Sequence, residues 1–189
     1  MANLPDEIRR NPVVGARRLV AEYRDRLYYV AYRLCRNAAD AEDLTFRTLQ
    51  RAIERISSYR TDRNFFQWLY SILTNFRRMD VRLKAANMLE FTDELPDYPD
   101  SRPDAAETLA AAQDAAAVRQ AVDALPDVFR EVVVYRYFED LTVPEIAQVL
   151  NIPEGSVKSR LSRAKEHIRR HLSGTIRADD AFNRNGDET

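Results

Sequence analysis

At 189 residues the chain can bury one good core or two small ones, and 45% hydrophobic with 31% charged residues suits a globular protein, neither disordered nor membrane-embedded. The start, MANLPDEIRRNPVVGARRLV, has no long apolar run and no small-residue cleavage site, so neither a signal peptide nor an anchor is expected and the default compartment is the cytoplasm. The formal net charge of -1 conceals a segregation: residues 1–86 carry 17 Lys and Arg against 10 Asp and Glu, residues 87–125 carry 2 against 9, and residues 153–172 carry 6 against 2. Two basic stretches flanking an acidic connector are the charge layout of two nucleic-acid-binding units on a tether.

Taken in chain order, residues 16–38 place Leu19, Val20, Tyr23, Leu27, Val30, Ala31 and Leu34 at helical spacing, which predicts a first helix. Cys35, the single cysteine, lies within that pattern and reads as core filler; it excludes an internal disulfide and supplies no zinc cluster. A second helix is predicted over Ala38–Ile56, its start marked by Asp40 with Asp43 three residues on. A third runs from roughly Phe65 to Ala86, opening on aromatic residues and ending strongly basic. With four glycines and no alternating strand pattern, no sheet is expected.

Residues 90–106, EFTDELPDYPDSRPDAA, hold three prolines, many acids and no apolar period, so they predict a linker and a domain boundary. An alanine-rich helix from Ala105 leads to Leu125, and Pro126 with Asp127 opens another that ends near Phe138. The expected division is 1–88, an acidic linker 89–112, a second domain 113–175 and a disordered tail 176–189.

Leu141–Leu172, LTVPEIAQVLNIPEGSVKSRLSRAKEHIRRHL, follows helix-turn-helix grammar. Thr142 suits an N-cap, Pro144 the first turn, and Glu145 completes a capping box. Ile146, Ala147, Val149 and Leu150 give the short helix an apolar face, Asn151 can take the left-handed conformation that ends it, and Pro153 opens the next. In that second helix Val157, Leu161, Ala164, Ile168 and Leu172 share one face. Ser156, Lys158, Ser159, Arg160, Arg163, Lys165, Arg169 and Arg170 remain outside, and such small polar and basic groups fit the major groove, with base reading assigned to Arg160 and Arg163. His167 and His171, four apart, lack an evident third ligand; no metal and no cofactor are expected.

The stretch ALPDVFREVVVYRYFEDLTVPEIAQVLNIPEGSVKSRLSRAKEHIRRHL closely resembles region 4 of the extracytoplasmic function (ECF) sigma factors, group 4 of the sigma-70 family. LVAEYRDRLYYVAYRLCRNAADAEDLTFRTLQRAIERI, followed by FFQWLYSILTNFRRMDVR, is similar to region 2 of the same family. The resemblance implies an all-α fold of two small helical domains without an active site, serving as a promoter-specific initiation factor. Its partners would be core RNA polymerase (the beta-prime clamp helices and the beta flap), promoter DNA and an anti-sigma factor, with no membrane insertion. Carried over by residue, it assigns Asp40, Glu42, Asp43, Leu44 and Arg51 to core polymerase, with Arg47 among them as a departure. It assigns Phe65, Trp68, Asn75, Arg78, Met79 and Arg82 to the -10 element. The last helix, with Ser156, Lys158, Ser159, Arg160 and Arg163, would read the -35 element. Unpaired bases need aromatic faces and phosphates need cations, and residues 65–84 supply both, although Trp68 suits core packing better than base contact.

Two departures stand out. After AEDL the family continues with glutamine and an acid before threonine, whereas here the order is Thr45, Phe46, Arg47, Thr48. A reversed charge at Arg47 should weaken polymerase binding unless compensated, and phosphorylation of Thr45 or Thr48 is one way to restore negative charge. Met79 replaces an aspartate common after the asparagine, which points to an atypical -10 preference. Arg47 also gives some support to a sigma-like decoy that sequesters an anti-sigma factor. A free-standing duplex repressor or activator is opposed by the amino-terminal match and by the lack of an obvious dimerisation helix. An enzyme is opposed by the absence of any phosphate-cradling glycine loop, metal constellation or nucleophile motif.

Overall fold

A computed structural model of the chain describes the backbone over residues 3–60, 64–87 and 109–184, and side chains over 3–60, 64–86 and 116–173. Every regular element among the described residues is helical: α1 Leu4–Arg10, α2 Pro12–Cys35, α3 Ala38–Glu54, α4 Phe65–Asn87, α5 Leu109–Asp123, α6 Asp127–Val133, α7 Val143–Leu150 and α8 Glu154–Arg184. A 3-10 turn, Ile56–Ser58, follows α3, and a π-helical segment, Val134–Phe138, continues α6. Most of the expected linker 89–112 lies outside the described residues. Helix α8 runs on to Arg184, into the segment 176–189 expected as a disordered tail.

Spatial proximity divides the chain into two units, Met1–Tyr98 with Pro144–Ile152, and Pro99–Val143 with Pro153–Thr189. The first groups α7 with the amino-terminal helices, where the sequence alone suggests cuts at 88 and 113.

Within the first unit, α1 is an element that the apolar pattern did not announce. Its N-cap, Asn3, accepts a hydrogen bond from the Asp6 amide at 3.0 Å. Asn11 ends α1, its amide donating to the Glu7 carbonyl at 2.8 Å, and also starts α2, its side chain accepting from the Val14 amide at 3.3 Å. One residue thus serves two helices, with Pro12 in the first turn of the second. The two helices touch closely because position 15 is glycine: a Cβ there would lie 2.5 Å from the Ile8 Cα. Arg9 ties α1 onward by donating to the carbonyls of Ile56 at 3.2 Å and Tyr59 at 2.8 Å.

The core of this unit is built by α2, α3 and α4. Leu19, Leu27, Val30 and Ala31 of α2 meet Ala41, Leu44 and Ala52 of α3 and Leu69, Tyr70 and Leu73 of α4, all fully enclosed. Burying each leucine contributes roughly 1.5–3 kcal/mol relative to exposure. α3 begins at Asn37, whose side chain accepts from the Asp40 amide at 3.0 Å, so the cap is Asn37 and not Asp40. α3 and α4 run antiparallel in a register set by Asp40 with Lys84, Arg47 with Asp80 and Arg51 over Phe76.

The second unit has a smaller core. Val122, Leu125, Val133 and Ala164 pack together, with Phe129 and Ile168 against them. The buried Arg130 organises the α5–α6 corner by donating to Asp127 at 2.6 Å, to the Asp123 carbonyl at 3.1 Å and to the Leu125 carbonyl. These bonds satisfy carbonyls that the end of α5 leaves without helical partners.

Candidate nucleic-acid and protein interfaces

On α3, Glu42 and Asp43 are exposed and Asp40 is half-buried, its carboxylate held by Lys84 at 2.6 Å. Leu44 is fully enclosed in the core, so the expectation that it touches core polymerase is corrected: no surface of it is available. The expectation of phosphorylation at Thr45 or Thr48 is corrected on the same ground. Both are buried, and each hydroxyl donates at 2.7 Å to a carbonyl one turn back, Ala41 and Leu44 respectively. A kinase could reach neither without unfolding the helix.

Arg47 does not stand out toward a partner. Its Nε lies 2.8 Å from Asp43, both terminal nitrogens donate to Asp80, and the guanidinium sits over the Phe76 ring at 5.1 Å. The hydrogen bond to Asp80 raises its pKa further above the ordinary arginine value. The unfavourable charge expected from sequence is therefore compensated within the chain. Arg51 is half-buried, 3.6 Å from Glu54 and over the same ring. Sequence reasoning overlooked Phe46 as a surface residue, although it is 67% exposed in the middle of α3. The signal was present, since 46 falls opposite the buried positions 41, 44, 45, 48, 49 and 52.

On α4 the expected DNA contacts separate into two groups. Phe65 is buried against Tyr23 at 5.3 Å, Tyr59 at 5.0 Å and Trp68 at 5.5 Å, which corrects its assignment to the -10 element. Trp68 is half-buried in the same cluster, 5.2 Å from Tyr59. Phe66, its neighbour, is half-buried beneath Arg26, whose guanidinium carbon lies 4.1 Å from the ring centre. Asn75, Met79 and Arg82 are exposed, and with Leu83 their spacing forms one stripe along α4. Met79 is 46% and Leu83 56% exposed. Arg78 is half-buried and donates to the Leu150 carbonyl at 2.7 Å within the same unit.

The turn ahead of α8 takes the form its residues suggest. Asn151 has φ 50°, and the Ile152 amide donates to the Ala147 carbonyl at 3.0 Å. On the other side, the Ser156 and Val157 amides donate to the Pro153 carbonyl at 2.9 and 3.2 Å. In α8, Val157, Leu161 and Ala164 are buried, and Ile168 and Leu172 half-buried. Lys158, Ser159 and Arg163 are exposed, as are Lys165, Arg169 and Arg170, while Ser156 and Arg160 are half-buried. Glu154 and Glu166 share the exterior, so the face is predominantly basic and not purely so. At Gly155, in the first turn, an added Cβ would meet nothing within 4 Å. His167 lies against Phe129, rings 5.2 Å apart, and no three-residue metal-binding cluster occurs among the described residues. Burial pushes the Cys35 thiol up to about 11, away from reactive thiolate chemistry.

The described residues thus form two helical units, one with an acidic and an amphipathic exposed helix face and one with a predominantly basic exposed helix face. Residues 19–85 match the sigma-70 region 2 family and residues 115–168 match sigma-70 region 4. The chain is 32% identical over 162 residues to the ECF RNA polymerase sigma factor SigW of Bacillus subtilis, covering 82% of this chain and 87% of that protein. It is 34% identical over 158 residues to SigE of Mycolicibacterium smegmatis, again 82% of this chain but 60% of that longer relative. The fold is shared with the sigma factor RpoE of Bartonella quintana, solved with the anti-sigma factor NepR, at a TM-score of 0.69 and 22% identity over 83% of this chain and 96% of that one. CnrH, solved with the cytosolic domain of CnrY, gives 0.64 and 22% over 90% and 96%. The chain belongs to the ECF sigma factors of the sigma-70 family and is an RNA polymerase sigma factor. No helix among the described residues is long and apolar enough to cross a membrane.

Proposed function

We propose that this chain mounts on core RNA polymerase through the exposed face of α3 and, so mounted in the cytoplasm, reads a -10 element with the α4 stripe and a -35 element with α8. The observation that supports the reading is the coexistence in one chain of two exposed helix faces of different composition. Asn75, Met79, Arg82 and Leu83 combine apolar surface with one amide and one cation, which suits bases separated from their partners. Lys158, Ser159, Arg160 and Arg163 offer hydrogen-bond donors and positive charge without large apolar groups, which suits the edges and phosphates of paired DNA. Bond making and breaking stay with polymerase; the chain supplies position and charge.

In this reading the Arg47 charge reversal is no obstacle to core binding, because Asp43 and Asp80 hold that guanidinium. The decoy reading loses the residue that favoured it. The test is run-off transcription of genomic fragments by core polymerase with and without the full chain, followed by start-site mapping. Discrete starts that need the chain and share two upstream elements are expected. Duplex binding by the chain alone, with no transcription added to core enzyme, would overturn the proposal.

A further inference from the structure

We infer that Phe46 is the aromatic anchor of the α3 surface, inserting into an apolar slot on a basic face of core RNA polymerase. This rests on the reading that α3 is the helix that meets polymerase. The fold itself gives Phe46 no work. It projects from the middle of α3, 67% exposed, while the stripe Leu44, Thr45, Thr48 and Leu49 on the other side carries the packing. Phenylalanine is also a poor helix former, so local folding does not select it.

The surroundings specify the kind of partner. One turn to either side lie Glu42 and Gln50, both exposed, with Asp43 three residues back; farther along, Glu54 is balanced by Arg51, 3.6 Å away, and by the exposed Arg55. The single cation between Ala38 and Gln50 is Arg47, and it is turned away to Asp43, Asp80 and the Phe76 ring. What faces outward is therefore one large ring in a polar border, with Glu42 one turn away and Asp43 shared with Arg47. An aromatic group enclosed by polar residues that exclude water is the usual make-up of a dominant interface contact. The complementary surface must be an apolar slot bordered by lysine or arginine. With the ring supplying the affinity, Glu42 in the polar border steers approach and fixes register.

The experiment measures binding of the fluorescently labelled full chain to core polymerase for wild type, Phe46→Ala, Phe46→Leu and Phe46→Glu, with sedimentation of each protein alone. Phe46→Ala is expected to weaken binding about 10- to 100-fold, and Phe46→Leu by under about 5-fold. The Phe46→Glu substitution separates anchoring from charge: a loss at least as large as that of alanine supports the anchor, and tighter binding than wild type overturns it. Wild type binding well with Phe46→Ala within about 2-fold of it also overturns the anchor while leaving the polymerase-docking reading intact. Wild type that does not bind core enzyme at all removes that reading and the anchor with it. A wild-type dimer abolished by Phe46→Ala, with polymerase affinity unchanged, assigns the ring to a second copy of this chain and overturns the proposal. Thermal melts of the three variants within a few degrees of wild type keep these results about binding.

Discussion

The exposed stripes of α4 and α8 are both cationic in part, yet they are different chemical surfaces. α4 displays Met79 and Leu83 beside Asn75 and Arg82, whereas α8 displays no large exposed hydrophobic residue among those described. Apolar surface gains nothing against the polar edges and phosphates of a duplex, but it can cover the face of a base that has lost its stack. In the proposed reading, charge alone would not separate the two helices, and the apolar content of each would distinguish melted from paired DNA.

That contrast can be broken in order of expected effect. The Arg160→Ala, Arg163→Ala double variant should weaken promoter binding by roughly 1–3 kcal/mol per arginine. It should lose discrimination at one upstream element only, as measured by competition with single-base-substituted promoters in the presence of core polymerase. Replacing Met79 with Ser should leave closed-complex affinity unchanged but slow DNA opening by about 5- to 10-fold, as expected if one base contact worth about 1 kcal/mol is lost. Equal effects on paired and pre-melted templates would erase the distinction between the helices. Lys158→Ala should lower affinity nearly uniformly across sequences and reduce the slope of log affinity against log salt by about 1. The smallest effect is at Gly155, where alanine has room and should raise stability by about 0.5 kcal/mol in a urea melt. A loss of DNA affinity there, despite the added stability, would show that the DNA backbone comes close to the start of α8.

A pH experiment supplies an internal control for those variants. The Cys35 thiol, desolvated, has its folded pKa raised from 9.0 to about 11. The unfolded chain therefore releases this proton first, so stability falls as pH rises from about 9 to about 11, and below 9 this group contributes no slope. A thiol reagent should label Cys35 slowly at pH 8 in wild type and in every α8 variant. Fast labelling in an α8 variant would reveal damage to the first unit.

The helices were legible in sequence where one face repeats: Leu19, Leu27, Val30, Ala31 and Leu34, and Val157, Leu161 and Ala164, are buried as their spacing demands, whereas Val20, placed on the first of these faces, is 42% exposed and Tyr23 is half-buried. Asn151 was legible because asparagine tolerates a positive φ. Asp140, of the same tolerant residue class, adopts that conformation at φ 53°, and Arg36 does so at φ 57° without such a signal in its residue type. α1 was hidden by its length of seven residues, too short for a period to show, and by prolines at positions 5 and 12 that look like breaks but are starts. The site was harder to read because its decisive contacts are not local. Arg47 finds Asp80 33 positions away, and Tyr23 and Tyr59 decide that Phe65 goes inward. Thr45 and Thr48 are different: their burial follows from the stripe they share with Leu44 and Leu49.

The economy at Asn11 reaches beyond the fold. Because one side chain and its own backbone close α1 and open α2, excising Leu4–Arg10 would not trim a loose end. It would uncover the notch over Gly15 and remove the Arg9 bonds to the Ile56 and Tyr59 carbonyls, loosening the 3-10 turn that follows α3. Anyone engineering a minimal version or a fusion would find that protease sensitivity near Tyr59 reports on an edit made some fifty positions earlier.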